Sequence, residues 1–199
     1  VVGLFNREDT AQTRSVNFAA DLNMAGNGSV RDLLSHTNLG SMSSYSISLP
    51  AHNCKILKIS GTTNDYTVKE LEFGKMLGGA YTYIDAAGAS NTNGVGYLGT
   101  IGSGVEVKKI AAGNKMTIRY SSGQATNVTL SLYVNGSHNQ DISFAPTGGW
   151  TGAGKYADKT VYVNIPAGAT IKFQVDSGDG AVNLDKITIG TPASSWESL

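Results

Sequence analysis

The chain has 199 residues and no formal net charge at pH 7, because 15 Lys and Arg balance 15 Asp and Glu. This balance argues against a nucleic-acid module, whose usual footprint is a clustered basic face, and no apolar run reaches the ~18 residues of a membrane span. Only 15% of the residues are charged, 40% are hydrophobic and 25 are Gly. This composition predicts a soluble all-β protein with many tight turns.

The first predicted domain covers residues 1–60. It contains the single cysteine, Cys54, in an apolar strand-like run that indicates a small buried side chain. A weak helical pattern falls on Val30, Leu33 and Leu34. About 60 residues is small for an independent core, so we expect this domain to pack against further protein. The polar residues 61–65 predict a short linker after it.

Residues 66–190 form the second predicted domain. Strand-like runs recur about every 10 to 15 residues with turn residues between them, which predicts a β-sandwich or barrel. In the run 128–134, alternate apolar residues face inward and Ser131 faces outward. The run stops at Asn135-Gly136, which is a strong signal for a tight turn. Residues 191–199 contain Pro and Ser and predict the start of a second linker.

Two carboxylates at the start of this domain form the first candidate site. In a continuous strand, Glu70 and Glu72 would point to one face, about 6.6 Å apart along the chain, and Leu71 and Phe73 to the other. Like charges on one face are unfavourable unless they are solvated or share a cation. Oxygen ligands favour Ca²⁺ over Zn²⁺. The pattern leaves two interpretations open, a calcium site and a solvated face.

A change of phase near residue 185 adds a third carboxylate to this candidate site. Val182 and Leu184 share one phase of the strand pattern, whereas Ile187 and Ile189 share the opposite one. This slip predicts a β-bulge at the intervening Asp185. A bulge turns groups out of the ladder, so Asp185 becomes a third candidate ligand if its strand lies beside the first.

Aromatic and amide residues at turns form the second candidate site. Sugar rings present a C–H face that packs on an aromatic plane, and their hydroxyls suit amides that both donate and accept hydrogen bonds. The candidates are Tyr97, Asn135, Trp150, Tyr156 and Asn183. The alternative interpretation is that Trp150 closes one end of the sandwich and that the tyrosines are ordinary strand residues.

Catalytic arrangements are not indicated. Glu70 and Glu72 come from one strand, without a partner that would separate their pKa values as a glycosidase pair requires. The three histidines are scattered along the chain, and no nucleophile elbow or metalloprotease motif is present. We therefore expect a non-catalytic protein.

Six stretches of the second domain point to a known family when they are taken in order. They are Lys-Glu-Leu-Glu (69–72), Gly-Val-Gly-Tyr-Leu-Gly (94–99), Ile-Arg-Tyr (118–120), Tyr-Val-Asn-Gly (133–136), Phe-Ala-Pro-Thr-Gly-Gly-Trp (144–150) and Val-Asn-Leu-Asp-Lys-Ile (182–187). Residues 66–190 thereby resemble a family 35 carbohydrate-binding module, close to family 6. The resemblance implies a jelly-roll β-sandwich with a structural Ca²⁺ held by Glu70, Glu72 and Asp185.

The same resemblance implies a sugar site in loops at one end of the sandwich. Tyr97 and Asn183 would form its wall and floor, and Trp150 or Tyr156 would be the facing aromatic. The usual second aromatic after Gly-Gly-Trp is either Tyr156 or missing, so the identity of the sugar stays open. Family members that take uronic acids use an extra calcium in this site, which leaves a second Ca²⁺ as an alternative.

Three stretches of the first domain also point to a known family. They are Val-Gly-Leu-Phe-Asn-Arg (2–7), Val-Arg-Asp-Leu (30–33) and Tyr-Ser-Ile-Ser-Leu-Pro-Ala-His-Asn-Cys-Lys-Ile-Leu-Lys-Ile (45–59). Residues 1–60 thereby resemble the end of the C-terminal β-domain of family 27 glycoside hydrolases, the α-galactosidases. This domain packs against a catalytic barrel, so the resemblance implies an upstream barrel in the same polypeptide and a secreted parent enzyme. Residues 1–60 are then the C-terminal part of an antiparallel β-domain.

Together the two resemblances imply a non-catalytic module that targets a parent α-galactosidase to galactose-decorated plant cell-wall polysaccharide, such as galactomannan. No nucleic-acid or membrane partner is expected. Two alternatives stay open, namely a calcium-dependent uronic-acid module and a packing domain that binds no sugar.

Overall fold

The computed structural model describes residues 1–190, which form two compact units of β-structure. The first unit is Val1–Asn64 and the second begins at Asp65, so the division falls inside the segment 61–65 assigned to a linker from the sequence. The second predicted linker, residues 191–199, lies outside the described residues. Within the described part of the chain, no helix has the length and apolar character needed to cross a membrane.

The first unit consists of two antiparallel sheets and one short helix. Its elements are β1 (Val2–Phe5), β2 (Gln12–Asn17), α1 (Phe18–Leu22), β3 (Gly28–Asp32), β4 (Asn38–Met42), β5 (Ser44–Leu49) and β6 (Cys54–Ser60). One sheet has the order β1-β6-β3-β4, and β2 pairs with β5 in the other. Phe18 and Leu57 are fully buried in the core of this unit.

The helix of the first unit lies outside the region of helical sequence pattern, so that prediction was wrong. Val30 belongs to β3, and Leu34 is exposed. The helix begins instead after Asn17, whose side chain accepts a hydrogen bond from the Ala20 backbone N–H. Cys54 is half-buried rather than buried.

The second unit is a sandwich of two antiparallel sheets, as the sequence predicts. Its strands are β7 (Val68–Glu70), β8 (Lys75–Leu77), β9 (Tyr81–Ile84), β10 (Asn93–Leu98), β11 (Gly104–Ile110), β12 (Gly113–Ser121), β13 (Val128–Val134), β14 (Ser137–Phe144), β15 (Ala157–Ile165), β16 (Ala169–Gln174) and β17 (Val182–Gly190). One sheet has the order β15-β12-β17-β10-β9, with β7 also paired to β17, and the other has the order β14-β13-β16-β11-β8.

The core of the second unit lies between these two sheets. Ile118 and Leu184 from the first sheet and Leu132 and Phe173 from the second are fully buried in one cluster. The tight turn after Val134 is confirmed, because Asn135 and Gly136 both have positive φ, at 50° and 84°. Ser131 is buried although the alternation placed it outward, because the Asp179 carboxylate covers it and accepts its hydroxyl hydrogen bond.

Strand β17 positions the residues of both candidate sites. Strand β12 lies along one edge, while β10 and β7 follow one another along the other edge. Arg119 pairs with Lys186 and Tyr120 pairs with Leu184, so Asp185 is the extra residue of a bulge. The predicted bulge and the predicted neighbourhood of the two strands are therefore confirmed.

Candidate functional site

The three predicted metal ligands meet around one short segment. We call Glu70, Glu72 and Asp185 the acidic cluster. The Ser90 hydroxyl oxygen lies 2.7 Å from Glu70 Oε2 and 2.8 Å from Asp185 Oδ1, and its single hydrogen reaches one of them at a time. Asn91 Nδ2 donates to Glu72 Oε1 over 2.9 Å. Ser90 and Asn91 were not singled out from the sequence.

Glu72 reaches the cluster by a different route from the one the sequence suggested. Strand β7 ends at Glu70, and the next three residues, Leu71–Phe73, form a 3₁₀ turn. This turn buries Leu71 and leaves Phe73 68% exposed, so the expectation that both face one side was wrong. The turn nevertheless keeps Glu72 near the other two carboxylates.

The electrostatics of the acidic cluster are uneven. Asp185 is fully buried and pairs with Arg119, whose Nε lies 2.8 Å from its Oδ2. Burial raises the pKa of Glu72, and the negative charges of Glu70 and Asp185 raise it further, against the hydrogen bond from Asn91. Glu72 Oε2 is buried and has no hydrogen-bond partner. Such an orphaned carboxylate oxygen is costly.

The donor set of the acidic cluster fits a hard cation. Three carboxylates, a hydroxyl and an amide offer only oxygen ligands to a metal, which is the chemistry that Ca²⁺ prefers. The orphaned Glu72 Oε2 is the atom that a cation would satisfy. However, among residues 1–190 no three His, Cys, Asp or Glu side chains already stand at metal-ligand spacing. Glu70 Oε2 and Asp185 Oδ1 face the Ser90 hydroxyl instead, and Glu72 Oε1 faces the Asn91 amide.

Three of the five predicted sugar-binding residues line one cleft of about 870 Å³ at the sheet containing β9, β10 and β17. They are Tyr97, Trp150 and Asn183, and we call this space the aromatic cleft. Tyr83 and Ile84 also line it, although neither was singled out from the sequence. Among residues 1–190, none that lines the cleft is charged.

A bulge in β10 presents Tyr97 to the cleft. Val95 pairs with Leu184 and Leu98 with Val182, so two residues of β10 oppose the single Asn183. Tyr97 has a positive φ of 60° and is 62% exposed. The bulge therefore turns this ring out of the sheet.

Trp150 is held in place by its own backbone and by a glycine. Its carbonyl accepts hydrogen bonds from the Ser121 hydroxyl at 2.7 Å and from Asn183 Nδ2 at 3.0 Å. A Cβ at Gly123 would lie 2.4 Å from the indole Nε1. The indole therefore packs directly against the Gly123 backbone and stays 38% exposed.

Tyr156 lies behind the cleft rather than in its lining. Its hydroxyl is 2.7 Å from the Tyr83 hydroxyl and 3.1 Å from Asp85 Oδ2. Burial raises the pKa of both phenols. Tyr156 thus supports Tyr83, which was missed because tyrosine in a strand gives no separate signal.

Asn135 is not brought to the cleft either. Its side-chain oxygen accepts the Thr170 backbone N–H at 2.8 Å, and its own N–H donates to the Thr170 carbonyl. These contacts join the β13–β14 turn to the start of β16. The structure thus gives Asn135 a role in the turn.

Comparison with known proteins gives a match for each unit. Residues 1–59 match the family described as the alpha galactosidase C-terminal beta sandwich domain. The family 35 carbohydrate-binding module from Clostridium thermocellum is 28% identical with a TM-score of 0.56, over 62% of this chain and 98% of that chain. The second unit therefore has the fold of this class of module, which supports carbohydrate binding.

Longer glycan-acting enzymes also match. The 1,6-alpha-glucosyltransferase of Sporosarcina globispora is 32% identical over 130 residues, covering 63% of this chain and 10% of that protein. The cycloisomaltooligosaccharide glucanotransferase of Niallia circulans is 34% identical over 119 residues, covering 52% and 12%. The chain spans about a tenth of the length of these curated relatives.

A match to a solved structure can also extend across both units. An example is the isomalto-dextranase of Arthrobacter globiformis T6 complexed with panose, which is 25% identical with a TM-score of 0.56. The match covers 93% of this chain and 33% of that chain, which is more than either unit alone contains. The order of the two units is therefore shared with a glycan-acting enzyme.

Proposed function

We propose that the chain is a non-catalytic, carbohydrate-binding part of a glycan-acting enzyme, and that the aromatic cleft binds a neutral polysaccharide. The observation behind this proposal is the convergence of Tyr97, Trp150 and Asn183 on a cleft without charged lining residues. Aromatic faces would pack on sugar rings, and the Asn183 amide would contact hydroxyls.

The lining of the cleft favours a neutral sugar over a uronic acid. A bound carboxylate needs a cation or a convergent set of donors, and none of the cleft residues is cationic. The volume of about 870 Å³ lies in the upper part of the ~300–1,000 Å³ range of ligand sites. It is large enough for more than one sugar ring.

Two neutral ligands have separate support. An α-1,6-linked glucan is the ligand we place first, because the matching enzymes are named for 1,6-alpha-glucosyl transfer and for cyclic isomaltooligosaccharides. Galactose-decorated plant cell-wall polysaccharide is the second, because residues 1–59 match an alpha galactosidase domain. The parent is then a secreted glycoside-acting enzyme whose catalytic barrel precedes the first unit.

The acidic cluster is proposed to hold one structural Ca²⁺. Glu70, Glu72 and Asp185 would supply carboxylate oxygens, and the ion would neutralise negative charge that the Arg119–Asp185 pair offsets only in part. Its role is structural, because it would tie the 3₁₀ turn to the bulge of β17. A second calcium in the aromatic cleft has no acidic lining residue to hold it.

The test of sugar binding is calorimetric titration of the protein with dextran, galactomannan and glucuronate. We expect weak binding to a neutral polysaccharide, with a Kd on the order of 10 µM to 1 mM for a shallow site. Tyr97→Ala and Trp150→Ala should each weaken it by up to about tenfold, because each removes an aromatic face. Tyr162→Ala removes an exposed ring outside the cleft and should have no effect.

Three outcomes would change this assignment. Unchanged binding in both cleft variants would exclude the aromatic cleft as the site. Binding of glucuronate alone, and only with Ca²⁺, would transfer the module to the uronic-acid class. No detectable binding to any of the three ligands would favour a domain that only packs against other protein.

A further inference from the structure

A second groove in the same unit has the opposite chemistry to the aromatic cleft. It has a volume of about 360 Å³ and is bordered by the 3₁₀ turn, β8 and β11. We call it the lysine groove, after Lys69, Lys75, Lys108 and Lys109 in its lining. It shares no residue with the aromatic cleft or the acidic cluster.

A bulge in β11 creates part of this basic surface. Val107 pairs with Ile171 and Ile110 with Ala169, so Lys108 and Lys109 together oppose one residue of β16. Both lysines are exposed. The bulge interrupts the inward–outward alternation and turns two consecutive lysines toward solvent.

Positive side chains are concentrated in the lysine groove. Among the described residues its one lining carboxylate is Glu106, which lies 3.6 Å from the Lys108 ammonium. Lys69, Lys75 and Lys108 outnumber this glutamate in the lining, in a chain whose formal net charge is zero. Such a local potential would attract an anion.

An exposed aromatic ring stands in this basic setting. Phe73 is 68% exposed in the groove lining, and Lys75 follows it by two residues. A phenyl ring next to ammonium groups matches an acidic sugar, which offers a C–H face to the ring and a carboxylate to the lysines. Tyr66 also lines the groove, but the Lys69 ammonium lies over its ring, 3.8 Å from the centroid. Phe73 is then the open ring, which is a small platform for nucleic-acid bases because these stack on successive aromatics.

We propose that the lysine groove is a second binding site, and that its ligand is an acidic polysaccharide with uronic-acid residues. Phe73 packs on a sugar ring, and Lys75 and Lys108 pair with carboxylates of the same chain. The site acts independently of neutral-sugar binding in the aromatic cleft. The protein then binds a neutral and an acidic polysaccharide on two surfaces of one unit.

The test uses the intact chain, polygalacturonate as the probe and no added calcium. The double variant Lys75→Gln/Lys108→Gln should weaken binding about fivefold, since exposed ion pairs are individually weak. Phe73→Ala should weaken it about threefold. Raising the salt concentration to about 0.3 M should weaken wild-type binding strongly, because exposed charges are screened.

A matched control removes two lysines elsewhere. Lys58 and Lys115 are exposed and lie outside the groove, so Lys58→Gln/Lys115→Gln should leave polygalacturonate binding unchanged. Dextran binding should be unaffected by all of these variants, whereas Tyr97→Ala should affect dextran alone. The two proposed sites can therefore fail separately.

Three results would overturn the lysine-groove proposal. The first is no binding of polygalacturonate at low salt. The second is equal loss in the control pair, which would show a general charge effect. The third is equal affinity for poly-L-glutamate together with no effect of Phe73→Ala, which would show that sugar rings are not recognised.

Discussion

Tyr97 combines an unfavourable backbone with a well-supported side chain. Its φ of 60° lies in the left-handed region, which costs energy for a residue with a Cβ. Its ring stacks on Tyr81 with the centroids 3.6 Å apart and the planes at 21°. Stacking and the bulge together compensate this strain, and backbone strain of this kind is frequent at ligand sites. Tyr81 is therefore part of how Tyr97 is displayed.

Gly123 gives a direct test of how Trp150 is seated. In Gly123→Ala the new methyl group would lie 2.4 Å from the indole Nε1, so the ring must move. We expect neutral-polysaccharide binding to weaken about as much as in Trp150→Ala, by up to roughly tenfold. Titration of both variants checks this. Gly99→Ala is the comparison within the cleft lining, because its methyl meets only the Ala181 Cβ at 3.5 Å and leaves Trp150 in place. Wild-type affinity in Gly123→Ala would show that Trp150 does not contact the ligand.

Substitution of Glu72 tests the proposed calcium, because its effect on the melting temperature should change sign between EDTA and Ca²⁺. Because the pKa of Glu72 is raised in the folded protein, its ionisation lowers the free energy of unfolding as the pH rises. A bound cation would offset this loss of stability. In EDTA, Glu72→Gln should melt at or above the wild-type Tm. With Ca²⁺ only the wild type should gain stability, and this gain should fade as the pH is lowered toward the raised pKa of Glu72.

Thermal melts of the two proteins, each with EDTA and with Ca²⁺, measure this difference. Glu8→Gln, an exposed change in the first unit, serves as the control and should respond to Ca²⁺ like the wild type. Equal stabilisation of Glu72→Gln by Ca²⁺ would contradict the assignment of this ligand.

The segment 85–92 between β9 and β10 contacts both candidate sites. At one end, Asp85 accepts the Gly152 backbone N–H at 2.7 Å and the Tyr156 hydroxyl at 3.1 Å. At the other end, Ser90 lies between Glu70 and Asp185. One short segment therefore links the order of the acidic cluster to the loop that holds Trp150.

Asp85 should affect binding without lining the cleft. In Asp85→Ala the Gly152 N–H and the Tyr156 hydroxyl lose a buried acceptor, so the loop after Trp150 is less well held. We expect dextran affinity to fall about fivefold with the protein still folded. Asp158→Ala, an exposed aspartate on β15, is the comparison. Unchanged affinity in Asp85→Ala would show that the loop is ordered without this contact.

The sequence predicts the elements of this fold better than it predicts their junctions. Period-2 patterns identify the central strands, and the phase slip identifies the bulge at Asp185. The 3₁₀ turn at Glu72 was missed because alternation over five residues fits a strand equally well. Ser90 and Tyr83 were missed because their roles depend on strand pairing across the sheet, which local patterns do not specify.

At the scale of the whole molecule, the formal net charge is zero, but the charged side chains are unevenly distributed. The aromatic cleft has no charged lining residue, whereas the lysine groove has four lysines and one glutamate. The composition predicts neutrality but says nothing about this separation, because the lysines at 69, 75 and 108–109 meet only through the packing of β7, β8 and β11. The predicted sugar-binding residues are also separated by tertiary packing, which brings Trp150 and Tyr97 to one cleft and leaves Asn135 in a turn.

Salt should distinguish the two surfaces. Binding of dextran should change less than about twofold between 0.05 M and 1 M NaCl, because no charge is screened in the cleft. Titrations at the two salt concentrations measure this. Polygalacturonate provides the contrasting ligand within the same experiment. A steep loss of dextran binding with salt would show that charged residues outside the cleft lining contribute to neutral-sugar binding.

Asn183 and Asp185 are separated by a single residue of β17, yet one lines the aromatic cleft and the other belongs to the acidic cluster. Any insertion or deletion in this stretch would disturb both sites together. Laboratory evolution of new sugar specificity should therefore leave β17 unchanged. Libraries should instead vary Ile84, Thr100 and Thr151, which line the cleft from the ends of strands and from loops.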